Sequence, residues 1–83
     1  MIENTVELIF TVENIIFKSD QSDFCIIRGK SIKIESGENK SVNSYIFRGN
    51  FLSVNRGDKF KAKCNWVYNK HGWQLDVIYS RRE

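Results

Sequence analysis

The chain has 83 residues, and its 41% hydrophobic and 13% aromatic content suffices for one small folded core. This length excludes a two-domain enzyme and a complete nucleotide-hydrolysing module, so we expect a single domain over residues 1–83 with its core in about residues 5–80. Residues 81–83 carry no packing signal, and we expect them to be a tail or a truncation point. The net charge is +3, with an acidic stretch over residues 1–27 and a basic one over residues 28–83. This asymmetry fits either a polyanion-attracting surface or an ordinary solvated face of mixed charge.

Alternation of apolar and polar residues predicts β-strands along most of the chain. In the first of them Val6, Leu8, Phe10 and Val12 share one face, and the phase breaks at residues 15–17, which predicts a bulge. The stretches with this alternation are residues 6–17, 24–35, 43–51, 59–68 and 73–79. No helical stripe stands out, and residues 51–56 are the one place where we expect that a helical turn could form.

The order of these strands predicts an all-β fold, a small five-stranded Greek-key barrel of the OB type. The long, bent first strand and the gap between the third and fourth strands favour this barrel over an SH3-like barrel or a short β-sandwich. Polar, glycine-containing segments separate the strands, and Gly37 is expected to take a positive φ in the loop after the second strand.

The cysteine and histidine content excludes the common metal and catalytic sites. Cys25 and Cys64 lie in apolar runs far apart, so we expect buried, reduced thiols in a cytoplasmic protein. His71 has no partners at metal-ligand or dyad spacing, and the chain lacks phosphate-loop, GxSxG and HExxH motifs. We therefore expect no enzymatic activity in this chain, no cofactor, no metal and no membrane partner.

Basic and aromatic residues in the later strands indicate a surface for single-stranded nucleic acid, which such surfaces bind by charge and base stacking. Lys59, Lys61 and Lys63 alternate along one strand, although lysines in that pattern also protect sheet edges. The candidate stacking platforms are Phe17, Tyr45, Phe47, Tyr68 and Trp73, whereas we expect Phe10, Phe60 and Trp66 in the core. The candidate nucleic-acid-binding residues are Arg28, Lys30, Arg48, Lys59, Lys61, Lys63, Tyr68, Lys70, His71 and Trp73.

Several short motifs occur in an order typical of one family. They are TVENIIF at residues 11–17, SDFCIIR at 22–28, FRGNF at 47–51, RGD at 56–58, KCNWV at 63–67 and KHGWQL at 70–75. Over about residues 10–79 the chain resembles the N-terminal OB domain of RecD-like (YrrC-type) ATP-dependent DNA helicases. It departs from that pattern where glycine or proline is usual, at Thr11, Asp23, Arg56 and Cys64.

The resemblance implies a non-catalytic accessory domain of a helicase that acts in DNA recombination or repair, with the ATPase core C-terminal to it. Two functions remain open. In the first, the domain assists the binding of single-stranded DNA, weakly and with strong dependence on salt. In the second, it is a docking module that packs on the C-terminal helicase domains or recruits a protein partner.

Overall fold

The computed structural model describes residues 4–83, and these residues form five strands that close into a barrel. The strands are β1 (Thr5–Lys18), β2 (Phe24–Gly37), β3 (Tyr45–Asn50), β4 (Lys59–Asn69) and β5 (Gly72–Arg82). Their order around the barrel is β1-β2-β3-β5-β4, and β4 pairs with β1 to close it. The pairs are antiparallel except for a short parallel pair between β3 and β5. The predicted all-β, five-stranded barrel is therefore confirmed.

The first half of β1 is paired along both of its edges, with β2 on one side and with β4 on the other. Its inward side chains are Val6, Leu8, Phe10 and Val12, all buried as the alternation predicts. Register shifts against β2 then fall between Val12 and Asn14 and between Ile15 and Phe17. The bulge predicted from the broken phase is thus present, and beyond it the end of β1 is paired with β2.

The core is apolar throughout and is built around aromatic rings. Phe10 stacks on Phe47 and also contacts Phe51 and Phe60. Trp66 is buried with these rings in the core, and its indole Nε1–H donates to the carbonyl oxygen of Glu38 at 2.7 Å. Phe10, Phe60 and Trp66 are therefore core residues, as predicted.

The connections differ from expectation in two places. Residues 51–58 cross from β3 to β4 through turns, so the helical turn considered there is not formed within the described residues 4–83. Strand β5 continues three residues beyond the expected end at Tyr79 and includes Arg81 and Arg82, which are strand residues rather than a tail. Gly37 has the predicted positive φ, 89°, but it is the last residue of β2 and not part of the loop that follows.

Candidate nucleic-acid interface

One outer surface of the barrel carries lysines from two strands, β2 and β4, which lie on either side of β1. Thr11 in the middle strand, β1, pairs with Lys30 of β2 on one side and with Lys59 of β4 on the other. Ile9, two residues earlier, pairs with Lys33 and Lys61 in the same way. The β1 and β4 positions alternate with buried ones, so their side chains point outward, and Lys30 and Lys33 are exposed beside them. We call this surface, with Lys30, Lys33, Lys59, Lys61 and Lys63, the lysine face.

Acidic groups neutralise only part of the lysine face. Lys33 pairs with Glu35 at 3.9 Å. Glu7 lies opposite Lys63 in the register, and its carboxylate accepts a hydrogen bond from the Tyr79 hydroxyl at 2.7 Å. That hydrogen bond to a negative group raises the pKa of Tyr79 above its ordinary value of 10.0. The face therefore keeps a net positive charge.

A second surface lies where the end of β1 meets β2, β3 and the turn between β4 and β5. It is a groove of about 560 Å³ with an apolar floor and a polar rim. Its floor consists of Ile16, Phe24, Ile26 and Ile46, and its rim of Arg48, Asn69, His71 and Gln74. We call it the β2–β3 groove. The side chains of Asn69 and Gln74 are joined by a hydrogen bond of 3.0 Å, which holds this part of the rim in place.

A smaller pocket of about 370 Å³ continues the groove toward the loop before β3. It shares Ile46 and His71 with the β2–β3 groove and adds Trp73 and residues 41–44 to its lining. The backbone N–H of His71 donates to the side-chain oxygen of Asn69 at 2.8 Å, which fixes the β4–β5 turn beside both pockets. Lys70 is exposed in that same turn.

Arginines border the groove on two adjacent strands. Arg28 of β2 is exposed and pairs with Ile46 of β3, and Arg48 of β3 pairs with Ile26 of β2. Arg48 also lies opposite Asp76 of β5, with its Nε 3.7 Å from Oδ1 of that carboxylate. This distance exceeds hydrogen-bond length, so the pair reduces the local charge of Arg48 without fully engaging its guanidinium.

The aromatic candidates differ in how open their rings are. Phe47 is fully buried in the core, so its prediction as a stacking platform is wrong. The Trp73 ring is covered by the Lys40 ammonium, 4.1 Å from its centroid, and packs edge-on against Trp66 and Tyr68. Tyr68 is 69% exposed at the end of β4, which makes it the more open platform beside the β4–β5 turn.

The two remaining platforms are only partly available. Tyr45 is half-buried, stacks on Phe47 and donates from its hydroxyl to Asn39 at 2.9 Å. Phe17 is 50% exposed at the end of β1, beside Phe24. Phe17 is therefore an open ring close to the groove, whereas Tyr45 mainly completes the core.

The ten candidates predicted from sequence thus divide between two surfaces instead of forming one. Arg28, Arg48, His71 and Trp73 line or border the β2–β3 groove and its continuation, and Lys70 and Tyr68 lie at the adjoining turn. Lys30 belongs with Lys59, Lys61 and Lys63 on the lysine face, across β1 from β4. Arg28 is the outward residue before Lys30 on β2, so it lies between the two surfaces.

Sequence reasoning missed the apolar floor of the groove. Ile16 and Ile26 lie in runs that are apolar at consecutive positions, where alternation does not tell the inner face from the outer one. The unbroken apolar run was the available signal. A half-buried strand needs apolar residues on one face only, so a run that is apolar on both faces indicates apolar side chains on the outer surface as well. Lys33 reaches the lysine face because the β1–β2 register shifts between Ile9 and Phe10.

A closed five-stranded barrel of this strand order, with a groove on β2 and β3 beside the β4–β5 turn, defines an OB-fold domain. The sequence model of one family, described as "ATP-dependent DNA helicase YrrC, OB-fold domain", matches residues 5–83. The chain belongs to this family, as the sequence motifs indicate. The matched region is the OB-fold domain of the helicase and not its catalytic domain.

Searches among curated proteins and among solved structures found no match. Within residues 4–83 no helix is long and apolar enough to cross a membrane. The same residues contain no cluster of three histidine, cysteine or acidic side chains suited to a metal ion.

Proposed function

We propose that this OB-fold domain is an accessory domain of a YrrC-type helicase in the cytoplasm and helps it bind single-stranded DNA through the β2–β3 groove. The observation that carries the proposal is the composition of that groove. Apolar side chains of three strands form its floor, and Arg48 and His71 stand at its rim. Unstacked bases need apolar or aromatic surface, and the phosphates beside them need positive charge.

The groove offers a separate contact to each part of a nucleotide. A base packs against Phe24 and the isoleucines of the floor, and a neighbouring base stacks on the exposed ring of Tyr68 or Phe17. Arg28 and Lys70 contact the phosphates at the two sides of the groove. Contacts of this kind carry little sequence information, which suits a domain that accompanies a helicase along DNA.

An amide-shift titration of the 83-residue chain with a single-stranded DNA of about 12 nucleotides tests this proposal. We expect the largest shifts at Ile26, Ile46, His71 and Gln74 at low salt. Binding should weaken at moderate salt, because the release of counterions from the DNA into a more concentrated salt solution is less favourable. A matched pair of variants locates the site. Tyr68→Ala should weaken binding several-fold, whereas Tyr79→Ala, which removes an equally large exposed ring opposite Lys63 and outside the groove lining, should not. The absence of groove shifts at low salt would refute the proposal.

A second candidate function is docking on the C-terminal helicase domains or on a protein partner. The observation that favours it is the exposure of apolar side chains at the end of β1, where Ile16 is 54% and Phe17 50% exposed. A docked protein would bury this surface with little dependence on salt. Shifts at Ile16 and Phe17 on addition of a YrrC-type helicase core fragment, unchanged at moderate salt and absent with DNA, would support docking over DNA binding.

A further inference from the structure

We infer that the lysine face is a second nucleic-acid contact, separate from the β2–β3 groove, and that it binds the phosphate backbone of duplex DNA. The inference rests on the proposed role of the domain in DNA handling, but it needs no occupancy of the groove. The lysine face would bind duplex DNA, whereas the groove is proposed to bind single-stranded DNA. One domain would then contact both parts of a junction between a duplex and a single strand.

The strand register sets the spacing of the lysines. Lys30 and Lys59 flank Thr11, and Lys33 and Lys61 flank Ile9, so two rows of lysine run on either side of β1. Neighbouring strands lie about 4.8 Å apart, which separates the two rows by roughly 10 Å at the backbone. Outward residues repeat about every 6.8 Å along each strand, and Lys63 continues the β4 row.

An ordinary structural role does not account for the β4 lysines. Lysines often guard an unpaired sheet edge. Here Lys61 and Lys63 pair with β1 on one side and with β5 on the other, so they lie in the middle of the barrel wall. Like charges directly opposite each other on adjacent strands destabilise a sheet, and Lys61 lies directly opposite Arg81 of β5, so sheet stability does not favour a lysine there.

The charge of the face is largely uncompensated. Among residues 4–83, Lys30, Lys59, Lys61 and Lys63 make no ion pair within 4.0 Å. The other charged groups of this surface largely offset one another. Arg81, opposite Lys61 on β5, pairs with Glu83 at 3.6 Å, and Lys33 pairs with Glu35 at 3.9 Å. Glu7, opposite Lys63 in the register, keeps its negative charge but directs its carboxylate to the Tyr79 hydroxyl.

The side chains between the rows favour a duplex over a single strand. Thr11 and Ile9 offer no ring on which an unstacked base could pack. A duplex keeps its bases paired and presents two phosphate backbones across a minor groove about 6 Å wide. Lysines are flexible point charges, so two rows of them can reach both backbones without reading sequence.

Two triple variants that each remove three positive charges test the inference. One is Lys30→Gln, Lys59→Gln and Lys61→Gln on the lysine face. The other is Arg28→Gln, Arg48→Gln and Lys70→Gln at the groove. Binding of each is measured by fluorescence anisotropy at several salt concentrations. The ligands are a blunt duplex of about 20 base pairs, a single strand of about 12 nucleotides and a duplex with such a single-stranded tail.

We expect the lysine-face variant to lose about tenfold or more in duplex affinity. The slope of log K against log salt for the duplex should fall in magnitude by about 2 to 3. Binding of the single strand should be nearly unchanged. The groove variant should show the opposite pattern, and the tailed duplex should bind wild type more tightly than either ligand alone. A loss of duplex binding confined to the lysine-face variant supports the inference even if the groove binds no DNA. Equal losses in both variants on both ligands would overturn it, because net charge alone would then explain binding.

A second measurement does not depend on how the variants fold. Titration of wild type with the duplex should shift the amides of Ile9 and Thr11, which lie between the two lysine rows. Duplex-induced shifts confined to the β2–β3 groove would overturn the inference. Melting temperatures of both triple variants provide the control for folding.

Discussion

The ring of Phe10 stacks on the ring of Phe47 with centroids 3.8 Å apart and 14° between their planes. Gly29 of β2 lies directly against this pair of rings. A Cβ added at this position would come within 2.9 Å of an atom of each ring. The glycine thus lets two large rings approach the sheet at the centre of the core, and it is required by packing and not by a turn.

Gly29→Ala should therefore destabilise the barrel by about 1–3 kcal/mol, the usual cost of adding a methyl group to a filled core. The measurement is the free energy of unfolding in urea. A double variant that also carries Phe47→Leu removes one of the two contacts, so its loss should be smaller than the sum of the two single losses. Additive losses would contradict this account of Gly29.

The fold could be predicted because its strands alternate strictly where one side of each strand is buried. Phe60, Ala62, Cys64 and Trp66 all point into the core, as the sequence of β4 indicates. Strand β5 was predicted too short because Arg82 carries a charge, yet its guanidinium contacts Asp58 and lies 5.0 Å from the centre of the Phe60 ring. Contacts between residues so far apart in the sequence do not appear in the local alternation of apolar and polar residues.

The site was less predictable, because a surface depends on strand order around the barrel. The sequence places Lys30 with Arg28 and Arg48 on the second and third strands. In the structure β1 lies between β2 and β4, so Lys30 joins Lys59 across Thr11 instead. Pairing between strands distant in sequence, together with the bulges in β1, decides this arrangement, and neither is encoded in local periodicity.

Two glycines with nearly equal backbone angles form a matched test of strain and packing. Gly37 has φ +89 and Gly57 has φ +87, but only at Gly37 would a Cβ meet other atoms, the nearest being the carbonyl oxygen of Thr5. Gly57→Ala should cost about 1–2 kcal/mol for the left-handed conformation alone. Gly37→Ala should cost about 1–3 kcal/mol more, because the backbone of β1 must move. Equal losses in urea unfolding would show that β1 is free to move there.

The two thiols should react only when the barrel unfolds. Cys25 and Cys64 are both fully buried. Burial raises the pKa of both thiols, and for Cys64 burial and then the negative charge of Asp76 raise it from 9.0 to about 12. Because the thiolate is the reactive form, alkylation by iodoacetamide at about pH 8 should be slow in native protein and rapid for both residues in urea. Fast labelling of either cysteine without denaturant would contradict the closed barrel.

The ion pair between Asp58 and Arg82 should make the stability of the barrel depend on acid pH. The carboxylate accepts hydrogen bonds of 2.8 Å from the Arg82 guanidinium and from the backbone N–H of Asn55. These bonds, that of Arg82 foremost, hold the pKa of Asp58 below its ordinary value of 3.8. A lowered pKa in the folded state stabilises the protein above pH 3.8, and this contribution is lost as the pH falls through the folded value.

Asp58→Asn should therefore lower the melting temperature near neutral pH, and this effect should shrink as the pH falls toward about 2 and the wild-type carboxyl takes up its proton. Arg82→Gln is the matched variant, since it removes the main cause of the shift and should also reduce the difference between neutral and acid pH. A melting-temperature difference between wild type and Asp58→Asn that stays constant from about pH 6 to about pH 2 would show that Asp58 has no lowered pKa in the folded barrel.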